Sequence, residues 1–334
     1  MFSPAYPADL ETKKGSGMEL FTMDFLGTPV WMWGTFLSLV LGLLALDLGL
    51  MGHREISVRQ SLKLSAGYIS VGLAFAGFVA WQLGTSAAVD YVTAFVVEKT
   101  LALDNIFVIA LIFVSLGIPA RQQHRVLFWG ILGVIVLRGI MIGAGAALVA
   151  EYHWILYIFA AFLILTGIKL WFGSDHADPG NGRMMKFLRR ILPVTDGLEG
   201  EAFLVRKGTK WFVTPLFLAL VMVELTDLVF AVDSVPAVFA ITTDTFIVYT
   251  SNIFAILGLR ALYGALAAVM HRLAYLKYAL AALLVFIGSK IFIADFSGLG
   301  KFPPALSLGI TFAILGAGIG VSLWKTRSDA KALT

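Results

Sequence analysis

Nine apolar stretches, each near the length that crosses a hydrocarbon core of ~30 Å, recur along the 334-residue chain. They cover residues 29–50, 66–84, 91–116, 126–149, 153–172, 213–240, 246–269, 276–293 and 305–324. Backbone amides inside lipid have no water to bind, so stretches of this kind must be helices that satisfy their own hydrogen bonds. Composition agrees: 59% of residues are hydrophobic and only 14% charged, far from a soluble globular chain. The expected fold is an all-α, polytopic bundle of about nine transmembrane helices in a lipid bilayer.

Lys and Arg are distributed unevenly between the connections. The segments 51–65, 117–125, 173–212, 270–277 and 325–334 hold seventeen, whereas 1–28, 85–90, 150–152, 241–245 and 294–304 hold three. The positive-inside rule then places the N-terminal tail, 1–28, outside and the C-terminal tail, 325–334, in the cytoplasm. The tail 1–28 has acids at Asp9, Glu11, Glu19 and Asp24 and no basic region before an apolar core, unlike a cleaved signal peptide. The net charge of +4 comes from the cytoplasmic loops, and nothing suggests nucleic-acid binding. Loop 173–212 is the one long hydrophilic connection, with a candidate amphipathic helix at "RMMKFLRRIL". The transmembrane unit is 29–324.

Internal similarity divides that unit. Residues 157–172, "YIFAAFLILTGIKLWF", align without gaps on 278–293, "YALAALLVFIGSKIFI", with six identities that include Gly167/Gly288 and Lys169/Lys290. The preceding span of each half carries an arginine, Arg138 in "VLRG" and Arg260 in "GLRA". One span earlier, "EKTLALDN" (98–105) lies against "DLVFAVDS" (227–234), which pairs Glu98 with Asp227 and Asp104 with Asp233. A unit of three spans repeated once, 91–172 and 213–293, enters the membrane from opposite faces. This inverted repeat is a signature of secondary transporters with a midplane site.

Within the spans lie Asp47, Glu98, Lys99, Asp104, Arg138, Lys169, Glu224, Asp227, Asp233, Arg260 and Lys290. A charge at the bilayer centre costs about 2.5–3.5 kcal/mol on insertion scales, so no lipid-facing helix would carry the acids of spans three and six. Asn105 and Ser234 follow the second acid of each repeat and add neutral oxygens. Pro236 has no N–H to give the Val232 carbonyl, which leaves that carbonyl free to turn toward a ligand. All five histidines fall in loops or at span ends, and there is no cysteine. The donor set is therefore all oxygen, which suits Mg²⁺, Ca²⁺ or Mn²⁺ rather than Cu⁺ or Zn²⁺. Two arginines cannot neutralise five acids, so buried ion pairs alone do not explain the set. Asp47 is a candidate member of the pathway, and Lys169 and Lys290 are expected to reach the interface from span ends. No cofactor or catalytic motif of the Walker or HExxH type occurs.

"VEKTLALDN", "VELTDLVFAVDSVPAVFAITTD" and "TSNIFAILGLRALY" resemble the TerC family of integral membrane proteins, named for tellurium resistance, and its Alx branch in particular. The resemblance runs from about residue 29 to 324. It implies a multi-pass protein of the bacterial inner membrane, in the LysE-like transporter group, exporting Mn²⁺. It also assigns the metal pathway to Glu98, Asp104, Asn105, Glu224, Asp227, Asp233 and Ser234, with Asp47, Arg138 and Arg260 in support. The rival from another class is a non-transporting membrane scaffold for stress response, recruiting partners through 173–212.

Overall fold

The computed structural model describes residues 24–51, 57–172, 183–266, 276–298 and 302–332. It is a helical membrane bundle. In chain order the long helices are α1 (Val30–Met51), α2 (Val58–Leu83), α3 (Thr85–Ser115), α4 (Ala120–Glu151) and α5 (Ile155–Phe172). A short helix α6 (Arg183–Ile191) and a hairpin of β3 (Leu204–Lys207) with β4 (Lys210–Val213) follow. A smaller hairpin, β1 (Asp24–Phe25) with β2 (Thr28–Pro29), precedes α1. The second half contains α7 (Pro215–Phe239), α8 (Thr245–Ile256), α9 (Leu259–Leu266), α10 (Leu276–Phe296) and α11 (Pro304–Ala332).

Among the described residues, eight segments are long and apolar enough to cross a membrane. The stretch read as 91–116 is α3, whose 31 residues suffice in length but include Asp90, Glu98, Lys99 and Asp104. A helix so charged cannot face lipid, and α3 is instead wrapped by α2, α7, α8 and α11. Tyr91, Ala94, Val97 and Glu98 on it are fully buried.

Several boundaries differ from the apolar limits because capping, not hydropathy, ends a helix. The α2 helix begins eight residues before 66, where Ser57 and Gln60 form a capping box. Thr214 caps α7 by accepting from the Phe217 amide, and Asp244 caps α8 by accepting from the Ile247 amide. The span read as 246–269 is broken between α8 and α9 at Leu257–Gly258. Gly258 has φ +80°, and a side chain there would meet the Tyr68 ring at 2.7 Å, so both conformation and space require glycine. At Pro236 α7 stays helical and runs on to Phe239, with proline supplying no amide hydrogen to the Val232 carbonyl. Pro236 lies in the last turn of α7 and is buried, as are Val235, Ala237 and Val238.

Among the described residues, the α5–α10 pair makes the most extensive helix contact. A Cβ on Gly167 would lie 2.7 Å from the Ala281 carbonyl oxygen, and one on Gly288 would lie 2.5 Å from the Ala160 carbonyl oxygen. The two glycines aligned in sequence thus make the same contact in reverse, each against the alanine aligned with the other's. Small residues of this kind let membrane helices approach backbone to backbone.

Candidate functional site

The site follows from helical periodicity. Residues seven apart share a face of an α-helix, because two turns take about 7.2 residues. Glu98 and Asn105 are so related on α3, and Asp227 and Ser234 on α7. The two faces meet, and Arg138 of α4 enters between them with 1% of its surface exposed.

Arg138 is the hub. Its Nε donates to Asp227 Oδ2 at 3.1 Å and its Nη2 to Asp227 Oδ1 at 2.9 Å, a two-pronged charge-assisted pair. Its Nη1 donates to Glu98 Oε1, to Ser234 Oγ at 3.3 Å and to Asn252 Oδ1 of α8 at 2.9 Å. Asn105 Nδ2 donates to Asp227 Oδ1 at 3.3 Å. Four helices therefore converge on one guanidinium. One arginine against two carboxylates gives a formal charge of −1 when both acids are ionised.

Asp233, next to Ser234, is turned by ~100° around α7 and faces α5, where its Oδ1 accepts from Thr166 at 3.3 Å. Beside it is a cavity of about 100 Å³ whose polar lining is Glu98, Asn105, Arg138, Thr166, Asp233 and Ser234. Glu98 Oε2 and Asn105 Oδ1 are buried acceptors with no hydrogen-bond partner among the described residues. Buried oxygens are rarely left so in folded proteins, which marks both atoms as available to a ligand.

The remaining predicted residues are placed elsewhere. Glu224 is half-buried and lies over Gly133 of α4, and among the described residues it makes no hydrogen bond to the Arg138 cluster. Asp47 of α1 pairs with Arg260 of α9 at 3.0 Å and accepts from the Tyr68 hydroxyl at 3.0 Å. This ties the peripheral α1 and α2 to the broken helix and is distinct from the Arg138 cluster. Arg260 and Asp227 nevertheless line a common cavity of about 30 Å³. Asp104 lies on α3, and its side chain is outside the described residues. Among the described residues, no three acids or histidines are gathered closely enough to hold a metal ion. Lys169 is exposed, whereas Lys290 is buried, with Nζ 3.4 Å from Ser307 Oγ of α11.

Two contributors escape the sequence reading. Asn252 is one, although "TSN" at 250–252, three fully buried polar residues inside an apolar span, was a readable signal. Lys99 is the other: its Nζ donates to the carbonyls of Ala255 at 2.7 Å and Leu257 at 3.2 Å. A cation there satisfies the last carbonyls of α8 and opposes the negative end of its dipole. Lys99→Met is expected to destabilise the break by about 1–3 kcal/mol, the cost of stranding buried carbonyls. Hydrogen exchange should rise in peptides covering 253–262, and unchanged protection there would show that Lys99 does not hold the break.

Comparison with known proteins places these features in a lineage. An uncharacterized membrane protein of Myxococcus xanthus is 45% identical over 319 residues, covering 93% of this chain and 98% of its own length. One from Rickettsia bellii is also 45% identical, covering 87% and 96%. An Escherichia coli K12 protein, Alx, named as a candidate membrane-bound redox modulator, is 44% identical over 314 residues, covering 90% and 97%. No solved structure matches. The profile described as integral membrane protein TerC family matches residues 83–330, from the start of α3 into α11 and so across every helix that contributes to the Arg138 cluster. The chain is a member of the TerC family of integral membrane proteins.

Proposed function

We propose that this chain is a secondary transporter that exports a divalent cation, Mn²⁺ by the family resemblance, across the bacterial inner membrane by alternating access. The observation that carries the reading is the pair of buried, unpartnered oxygens of Glu98 and Asn105 beside the cavity that Asp233, Ser234 and Thr166 also line. Every neutral or anionic donor there is an oxygen, the chemistry that hard divalent ions select. In this conformation Arg138 supplies the positive charge between Glu98 and Asp227. An arriving cation takes over that role as Arg138 withdraws, and the cation and guanidinium alternate as counter-charge.

The reciprocal α5–α10 contact supports an inverted repeat with the site at its interface. A larger cavity of about 630 Å³, lined among others by Tyr157, Thr242, Asp244, Lys290 and Asp295, forms the extracytoplasmic vestibule in this reading. Leu284 lines the inner cavity and Phe239 the vestibule, and both belong to one buried apolar cluster with Leu163 and Ile287. That layer closes the outer path. The redox role in the name of the Escherichia coli relative finds no thiol to work with, since this chain contains no cysteine.

The test is Mn²⁺ uptake into inside-out vesicles, with Mg²⁺ and Ca²⁺ as competitors and an imposed pH gradient. Glu98→Gln and Asp233→Asn are each expected to lower the rate at least about tenfold, equivalent to one interaction of ~1.4 kcal/mol, at normal levels in the membrane. Wild-type vesicles that carry none of the three ions, or variants as fast as wild type, would sink the proposal.

A further inference from the structure

The segment between α5 and α7 is a folded cap. Its α6 helix puts Met185, which is buried, and the partly buried Leu188 into the cluster formed by Ile112 and Phe113 of α3, Val126 of α4 and Leu216 of α7. Residues 194–213 are fastened to the first turns of α4. Gln122 Nε2 donates to the Gly200 carbonyl at 2.7 Å, Arg125 lies 3.4 Å from Glu201, and its guanidinium stands 5.1 Å from the centre of the Phe203 ring. The cap therefore sits at the level where α4 and α7 begin, which is headgroup depth for helices that span the bilayer.

At that depth α6 has a second apolar edge. Met184, Phe187 and Ile191 follow one another at spacings of three and four and are 42%, 58% and 59% exposed. On the hairpin, Leu204 and Trp211 are also largely exposed, and strand pairing puts Trp211 opposite Arg206. Lys186, Arg189 and Arg190 occupy the remaining side of α6. They are exposed and make no ion pair among the described residues. By contrast, Glu199 and Glu201, acids of the cap, are already paired with Lys207 and Arg125. Over 183–213 seven basic residues stand against three acidic ones.

We infer that α6 and the β3–β4 hairpin form a docking surface for anionic phospholipid headgroups, with Met184, Phe187 and Ile191 dipping into the acyl boundary. A helix with an apolar edge and a basic side binds an interface in this way, by area buried plus attraction to negative lipid. The long basic side chains reach the phosphates while their stems stay on the apolar side. The inference is independent of whether the chain transports an ion.

The natural absence of cysteine makes the test clean. Met184→Cys in the full chain is labelled with an environment-sensitive fluorophore, and the protein is placed in nanodiscs of phosphatidylcholine with or without phosphatidylglycerol. Phosphatidylglycerol is expected to shift the emission to the blue and to protect the label from iodide. Both effects should fade in about 0.5 M salt, where screening shortens to a few ångströms, and in the K186Q/R189Q/R190Q background. The salt arm needs no further variant and decides the matter if that background does not fold. Identical emission in both lipids, or a shift that persists in high salt, would overturn the inference. So would an equal shift produced in phosphatidylcholine by soluble poly-glutamate, which would point to an acidic protein partner instead.

Discussion

Replacing Arg138 by methionine is expected to cost about 3–5 kcal/mol of stability, because it leaves Glu98 and Asp227 as close, buried charges with no counter-ion. The side chains are similar in length, so lost volume is a minor part of the effect. Thermal unfolding in detergent should show a large drop in midpoint. The decisive measurement is the partner substitution: Arg138→Met with Asp227→Asn removes one orphaned charge as well as the guanidinium and should recover a substantial share of the loss. A double-mutant cycle then gives the coupling directly. If Arg138→Met melts like the parent, or the added Asp227→Asn only deepens the defect, the cluster is not the electrostatic centre described. Asn252→Leu is a milder probe, since Asn252 Oδ1 is one of five acceptor atoms on the same guanidinium.

The α5–α10 seam should be equally sensitive for a purely steric reason. Gly167→Leu or Gly288→Leu would drive a side chain into the backbone of the facing helix, where even a Cβ falls 2.7 or 2.5 Å from a carbonyl oxygen. Backbone cannot yield as a flexible side chain does, so the helices must separate. Overpacking commonly costs 1–3 kcal/mol, and backbone collision puts these changes at or above about 3 kcal/mol. Gly309 and Gly316 of α11 are the internal control, because a side chain at either meets nothing within 4 Å. Leucine there should leave the amount of folded protein in the membrane and its melting midpoint unchanged. Equal damage at Gly288 and Gly309 would remove the close crossing as the explanation.

Particular elements show how far a sequence of this kind can be read. The membrane helices were legible because lipid enforces length and apolarity, and α6 because its apolar and basic residues alternate with a helical period. The β3–β4 hairpin was not, since its four-residue strands with Lys, Arg and Gly resemble any polar loop. The break at Gly258 was not legible, whereas Pro236 was conspicuous. Proline announces a lost hydrogen bond wherever it stands, but it need not end a helix, and α7 continues through Pro236 to Phe239. At Gly258 the requirement comes from the Tyr68 ring on another helix, which no local pattern reveals.

The sequence by itself determined that the chain is a membrane bundle, that Glu98, Asp227 and Arg138 lie inside it, and that Gly167 and Gly288 occupy matching positions. Hydropathy and the cost of buried charge act on each segment separately, so one dimension suffices for them. Only the tertiary structure decided which acid meets which base: Arg138 took both Glu98 and Asp227, Arg260 took Asp47, and Lys99 took the carbonyl end of α8. Pairing depends on distances between helices far apart in the chain, at a scale of a few ångströms where a hydrogen bond forms or does not. That scale is set by how the helices pack.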